Sequence, residues 1–205
     1  MKSRQTGFTL VEIAIVLVII GLLLGGVLKG QELIFNSKVK ATFNLTREMS
    51  AAFNSYMDRY GQLPGDDNAA TTRFPAAAPA AINGNANGVL ATGDCSNNVT
   101  TTENCEALYH LRLAGFISGS GTAAVRIPFG GPSFPAAGNN VVAGLGTGVV
   151  MAFYPNSLTY KAASAIDTAF DDGASGTGLF RCNGAPAYNM STPDASITVY
   201  CSMSL

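Results

Sequence analysis

The residue whose chemistry is hardest to assign to folding alone is Glu12. It stands inside an apolar run of about 21 residues, Phe8 to Leu28. A carboxylate at such a position costs roughly 2.5–3.5 kcal/mol or more in hydrocarbon, which makes an intramembrane acid a functional candidate whose partner has to be named. No Lys, Arg or His lies within a helical turn or two on the apolar side. A cut just before Phe8 would create an α-amino group close to Glu12, and a neighbouring copy could bring the same charge. Burial of the carboxylate then becomes cheap only in an assembly, where low dielectric strengthens the attraction.

The remaining chemistry-bearing residues form weaker patterns. Four cysteines, Cys95, Cys105, Cys182 and Cys201, all follow Tyr60. An even number in a region read as exported implies two disulfides. Of three available pairings, Cys95–Cys105 and Cys182–Cys201 are favoured because each closes a short polar loop, contributing on the order of 3 kcal/mol apiece. No CxxC occurs and His110 is the only histidine, so metal binding by thiolates is poorly supported.

Asn83, Asn85 and Asn87, with Leu90 at position eight and Asp94 at position twelve, have the spacing of a calcium loop. Calcium is therefore the one cofactor with a candidate site. Three neutral amides stand where acidic ligands belong, which favours a plain turn-rich loop. Asp171-Asp172-Gly173 is a second cation candidate, although a glycine after a helix is more simply a C-terminal cap. Gly144-Leu-Gly146-Thr-Gly148 is similar to a dinucleotide turn but opens a strand rather than a helix, and reads as a loop. No GxSxG and no paired nucleophile and base emerge, so the expectation is a protein that is not an enzyme.

The elements that must carry these residues follow from composition and periodicity. Residues 1–60 hold seven Lys/Arg and four Asp/Glu, whereas residues 61–205 hold five and nine. A basic, apolar front thus precedes a mildly acidic remainder, whose balance gives no reason to expect a specific nucleic-acid partner. A local patch of Arg112, Arg126, Lys161 and Arg181 is the one feature favouring a DNA-binding or ligand-binding head. The apolar run matches the ~20 residues a spanning helix needs. Lys2 and Arg4 place its N-terminus in the cytoplasm. No A-x-A site follows the run, so it reads as retained.

Beyond it, Phe35, Val39, Leu45, Met49, Phe53, Tyr56 and Tyr60, with Thr42 filling one gap, recur every three or four residues. This predicts one nearly continuous helix from Phe8 to Tyr60, amphipathic in its second half and packed on a sheet, with Gly61 and Pro64 marking its end. Glu103 to Ala114 and Ala162 to Phe170 are expected as short helices, with His110 half-buried on the first. Val125–Phe129, Val149–Tyr154, Ser157–Lys161 and Ile197–Tyr200 are expected as strands.

Gly7-Phe8-Thr9-Leu10-Val11-Glu12, after a basic leader and before an apolar run, resembles the prepilin peptidase recognition sequence of type IV pilins and type II secretion pseudopilins. Tyr60 to Asp67 resembles the end of the stem in a bacterial branch of pilin-like proteins. The resemblance implies cleavage after Gly7, N-methylation of Phe8, and pairing of Glu12 with the terminal amine of an adjacent subunit. It implies an α+β type IV pilin fold, in which a long N-terminal helix packs on a small antiparallel sheet with disulfide-closed loops.

The expected divisions are a leader, 1–7; a transmembrane and polymerisation helix, 8–28; an amphipathic helix, 29–60; and an extracellular head, 61–205. Lys29 stands where many pilins carry a helix-kinking proline, and Gly21, Gly25, Gly26 and Gly30 are the remaining sources of looseness. The implied function is a major or minor pilin of an extracellular filament. The alternatives are a periplasmic pseudopilin and a membrane-anchored ligand- or DNA-binding module. Implied partners are copies of itself or other pilins, the prepilin peptidase and an inner-membrane assembly platform.

Overall fold

A computed structural model describes residues 9–93, 95, 102–142, 144–183, 188, 190–197 and 200–205. They fall in two compact units, Met1–Lys38 and Val39–Leu205. Helix α1, Leu10–Tyr60, contributes to both. It runs without interruption through Gly21, Gly25, Gly26 and Gly30, so the glycines do not break it here.

In the second unit, α1 buries Val39, Thr42, Thr46, Met49, Phe53 and Tyr56. The inward stripe passes through Thr46, while Leu45 is only half-buried. Thr46 remains compatible with burial because its hydroxyl donates to the Thr42 carbonyl at 3.2 Å. Gly61 ends the helix at φ +66°, a left-handed conformation that glycine adopts without Cβ strain.

The other helices are α2 (Ala70–Arg73), α3 (Glu103–Leu113), α4 (Gly138–Val141) and α5 (Tyr160–Phe170). The strands are β1 (Val125–Arg126), β2 (Pro132–Ala137), β3 (Val149–Phe153), β4 (Phe180–Cys182) and β5 (Cys201–Ser204). They form one antiparallel sheet in the order β1-β2-β3-β5-β4. The fold is α+β. One face of the sheet, through Phe180 and Met203, lines a groove with Phe43 and Thr46 of α1. The other face, through Phe134, Ala136, Val150 and Ala152, packs on Cys95, Cys105, Val141 and Val142.

Several expected strand positions differ from those observed. Only Val125 and Arg126 of the first are paired. The expected strand 157–161 is instead the approach to α5 and its first two residues: Thr159 makes an isolated bridge to Ser196, and its hydroxyl caps the helix by accepting from Ala162 N–H at 3.2 Å. β2 has two prolines yet sits inside the sheet between β1 and β3, against the ordinary preference of proline for edges. β5 lies just beyond the expected strand 197–200, of which residues 198 and 199 are outside the described residues.

Candidate functional site

Glu12 lies in the first turn of α1, and its local partner is Thr9. The Thr9 N–H and hydroxyl both donate to Glu12 Oε2, at 2.8 and 2.7 Å, while the Thr9 hydroxyl accepts the Glu12 N–H at 3.3 Å. This reciprocal pattern is a capping box, legible in the spacing Thr-x-x-Glu. It occupies Oε2 and leaves Oε1 without a hydrogen-bond partner among the described residues. The carboxylate therefore has partial local compensation from an amide and a hydroxyl, with no countercharge nearby among the described residues. Gly7 and Phe8 lie outside the described residues.

From Leu10 to Leu28 every large apolar side chain stands uncovered, with exposures from 46% at Ile20 to 87% at Leu10. A surface of this kind is stable only in lipid or against other apolar helices. Among the described residues, α1 is the one helix long and apolar enough to cross a membrane. At the end of the run, Lys29 pairs with Glu32 at 2.7 Å on the exposed surface.

Residues 2–28 carry the prokaryotic N-terminal methylation motif. This motif is the prepilin-type sequence shared by type IV pilins and pseudopilins, and it supports a protein of pilin-like or pseudopilin kind. No curated protein and no solved structure matches the chain significantly. The methylation motif thus ends where the uncovered apolar run ends, and Glu12 and its Thr9 partner lie within it.

The cysteines form two bridges, Cys95–Cys105 and Cys182–Cys201. The first ties the segment before α3 to that helix. The second joins edge strand β4 to its neighbour β5 at directly paired positions.

The polar residues of the second unit are engaged in holding loops. α3 presents Glu103, Glu106 and His110 along one face, spaced for successive turns of a helix. His110 is fully buried rather than half-buried. Its Nδ1 accepts the Gly65 N–H at 3.0 Å and its Nε2 lies 3.0 Å from the Ile82 carbonyl oxygen, an arrangement that places the single ring proton on Nε2. Burial pushes its pKa down to about 4, against smaller upward contributions from the Ile82 carbonyl and the Asp67 charge. Burial raises Glu106, opposed by the Ile82 amide.

Asp67 is likewise buried, which alone would raise its pKa. The Ala69 amide, the Tyr56 hydroxyl and the Arg73 guanidinium outweigh that effect and hold it below the ordinary value. The last two lie at 2.7 Å each.

Asn83, Asn85 and Asn87 use their side-chain oxygens on the backbone amides of Thr71, Asn87 and Val89. The Asn85 amide donates to Glu103 at 2.6 Å. Asp94, the remaining member of that candidate loop, is outside the described residues. Asp167, Asp171 and Asp172 converge, with ligand-capable oxygens within 4.8 Å of one another. Each nonetheless accepts protein donors: Gly173 N–H and Tyr188 OH for Asp167, Leu179 and Phe180 N–H for Asp171, Ala174 N–H and Thr177 OH for Asp172. They fold the connection from α5 to β4. The Gly144–Gly148 stretch leads into β3.

Two of the four cationic residues considered for a basic patch stand on opposite edges of the sheet. Arg126 is on edge strand β1 and Arg181 on the opposite edge strand, β4. Arg112 spends its guanidinium on the carbonyls of Ser118, Gly121 and Ala123. Sequence reasoning missed the Thr9 cap, although Thr-x-x-Glu was readable. It also missed the Tyr56–Asp67–Arg73 cluster, whose members meet only through the chain turn after α1.

Proposed function

We propose that this chain is a structural subunit, a major or minor pilin, of a type IV pilus-like extracellular filament. The observation that carries the reading is the methylation motif at residues 2–28 lying on an uncovered apolar helix with a carboxylate inside it. On this reading residues 1–7 are a leader removed by prepilin peptidase, and Phe8 becomes the methylated terminus. Residues 8–28 anchor the subunit in the inner membrane and then pack in the filament. Residues 29–60 form the stem and 61–205 the exposed head. The inner-membrane assembly platform is the partner that extracts the subunit. The role is structural rather than enzymatic.

The mechanism follows from the cost of charge in an apolar medium. In a lone subunit, Thr9 gives Glu12 two hydrogen bonds and no countercharge. In a filament, the Phe8 amine of a neighbour supplies that charge at Oε1, and low dielectric makes the pair strong. Assembly thereby removes both an uncovered apolar surface and an uncompensated carboxylate.

N-terminal mass spectrometry of sheared surface filaments tests the reading. The expected terminus is N-methylated Phe8, whereas fibres built of protein starting at Met1 would refute it. The same motif supports a pseudopilin of type II secretion. Fractionation separates the two: long sheared fibres support the pilin, and a short periplasmic assembly supports the pseudopilin.

A further inference from the structure

The loop wrapped around Asp66 and Asp67 contains two Asn-Gly steps, Asn83-Gly84 and Asn87-Gly88. Such steps are the ones most prone to self-modification, because glycine places no side chain in the way. The glycine amide nitrogen loses its proton and attacks Asn Cγ; a nitrogen–carbon bond forms and ammonia leaves with the proton. Water then opens the succinimide to aspartate or isoaspartate. Both products replace a neutral amide with a carboxylate.

Here each attacking nitrogen is held by an oxygen. Gly88 N–H donates to Asp66 Oδ2 at 2.6 Å, and Gly84 N–H donates to the Asp67 carbonyl oxygen at 3.0 Å. The side chains under attack are also pinned. Asn87 Oδ1 accepts Val89 N–H and Asn83 Oδ1 accepts Thr71 N–H, each at 2.8 Å. A Cβ at Gly84 would fall 2.3 Å from Asp66 Cα, so the loop has no slack at that crossing. Asp66 is buried, while Asn87 and Gly88 are open to water. Access of water is therefore no barrier to the hydrolytic step; the restraint lies in the first attack.

The charge on Asp66 sets the sign of the effect. Attack requires an amide that has given up its proton, and a carboxylate beside that nitrogen disfavours a second negative charge. It also ties the N–H to a fixed direction, toward Asp66 Oδ2. We propose that Asn87-Gly88 is a latent self-modification site of the head, kept intact by the Asp66 carboxylate. Conversion at Asn87 is one-way. The ammonia released is lost to solvent, so neither aspartate nor isoaspartate returns to the amide. A subunit whose loop has opened thus carries a permanent record of it.

The two steps differ in a way that makes the proposal testable. A side-chain oxygen guards Asn87, and substitution at position 66 removes it. A main-chain oxygen guards Asn83, and the same substitution leaves it in place. The full-length protein in detergent is incubated at mildly alkaline pH, and aspartate and isoaspartate at both positions are followed by peptide mass spectrometry. In native wild type both asparagines should persist, and in urea both should convert rapidly. In Asp66→Ala, Asn87 should convert faster by about tenfold or more, the rate equivalent of losing a hydrogen bond to a charged group, with Asn83 little changed.

Equal rates at Asn87 in native and urea-unfolded wild type would overturn the proposal. So would an Asp66→Ala variant that accelerates neither position or both alike. Should that variant fail to fold, amide hydrogen exchange at Gly88 in the wild type decides: protection supports the restraint and free exchange overturns it.

Discussion

His110 should make the second unit sensitive to mild acid, and the size of the effect can be worked from its surroundings. The ring is fully buried, accepts the Gly65 amide at Nδ1 and donates from Nε2 to the Ile82 carbonyl. A second proton would go to Nδ1, where it would meet the Gly65 N–H head-on. The facing ionisable groups are Glu106 of α3, 3.7 Å from Nε2, and Asp67, while Tyr56 of α1 stacks at 6.3 Å.

With a pKa near 6.5 in the unfolded chain and about 4 when folded, the unfolded state binds the proton first. Stability is therefore complete above about pH 6.5, falls as pH drops toward about 4, and levels off below. At about 1.4 kcal/mol per tenfold, that gap is worth roughly 3 kcal/mol. Glu106 works in the opposite sense: its raised pKa means the folded state takes up a proton early, which offsets part of the loss as pH falls.

The assay is guanidinium unfolding of the full-length protein in detergent at several values between about pH 7.5 and pH 4, for wild type and His110→Asn. The variant retains an acceptor toward Gly65 and cannot titrate. It should be weaker at neutral pH, through the lost Ile82 bond and ring volume, but its stability should fall less steeply between about pH 6.5 and pH 4. Parallel pH profiles for the two proteins would refute the reasoning, as would an NMR titration of His110 near the ordinary histidine value.

Three further outcomes follow from the same geometry. Glu12→Val should leave cleavage and membrane insertion intact while sheared-filament yield falls sharply, with Glu12→Asp intermediate; normal yield from processed Glu12→Val would remove the carboxylate from the assembly mechanism. Tyr56→Phe strips a hydrogen bond from the buried Asp67 carboxylate and should cost about 1–3 kcal/mol in chemical denaturation, whereas an unchanged midpoint would mean that Arg73 and Ala69 suffice. Replacing Cys182 and Cys201 by serine opens the β4–β5 link across a separation of 19 residues and should cost about 3 kcal/mol; peptide mapping of non-reduced wild-type protein should recover Cys95–Cys105 and Cys182–Cys201 as its two links.

The front end was legible because its information is local. Gly7-Phe8, Glu12, the basic leader and the apolar run are consecutive text, and hydropathy acts on a helix whatever the rest of the chain does. The stem was legible for a similar reason: a 3.6-residue period shows which side of α1 meets the sheet, with Thr46 in place of Leu45 as the local adjustment. The short spacing of the cysteines made their pairing readable in the same local way.

Tertiary structure alone decided the rest, since each remaining feature depends on residues far apart in the chain. β5 enters between β3 and β4, so the last strand of the chain becomes an interior strand of the sheet rather than an edge. β2 is held inside the sheet despite Pro132 and Pro135, with five of its residues buried. His110 is buried because Gly65 and Ile82 arrive from 45 and 28 residues away. The asparagine loop, which as sequence reads as a weak calcium candidate, becomes a wrapped turn only when Asp66, Asp67 and Glu103 supply its acceptors. A buried amide or ring must find a partner wherever the fold brings one, and which partner arrives is a property of the packed chain rather than of its neighbours in sequence.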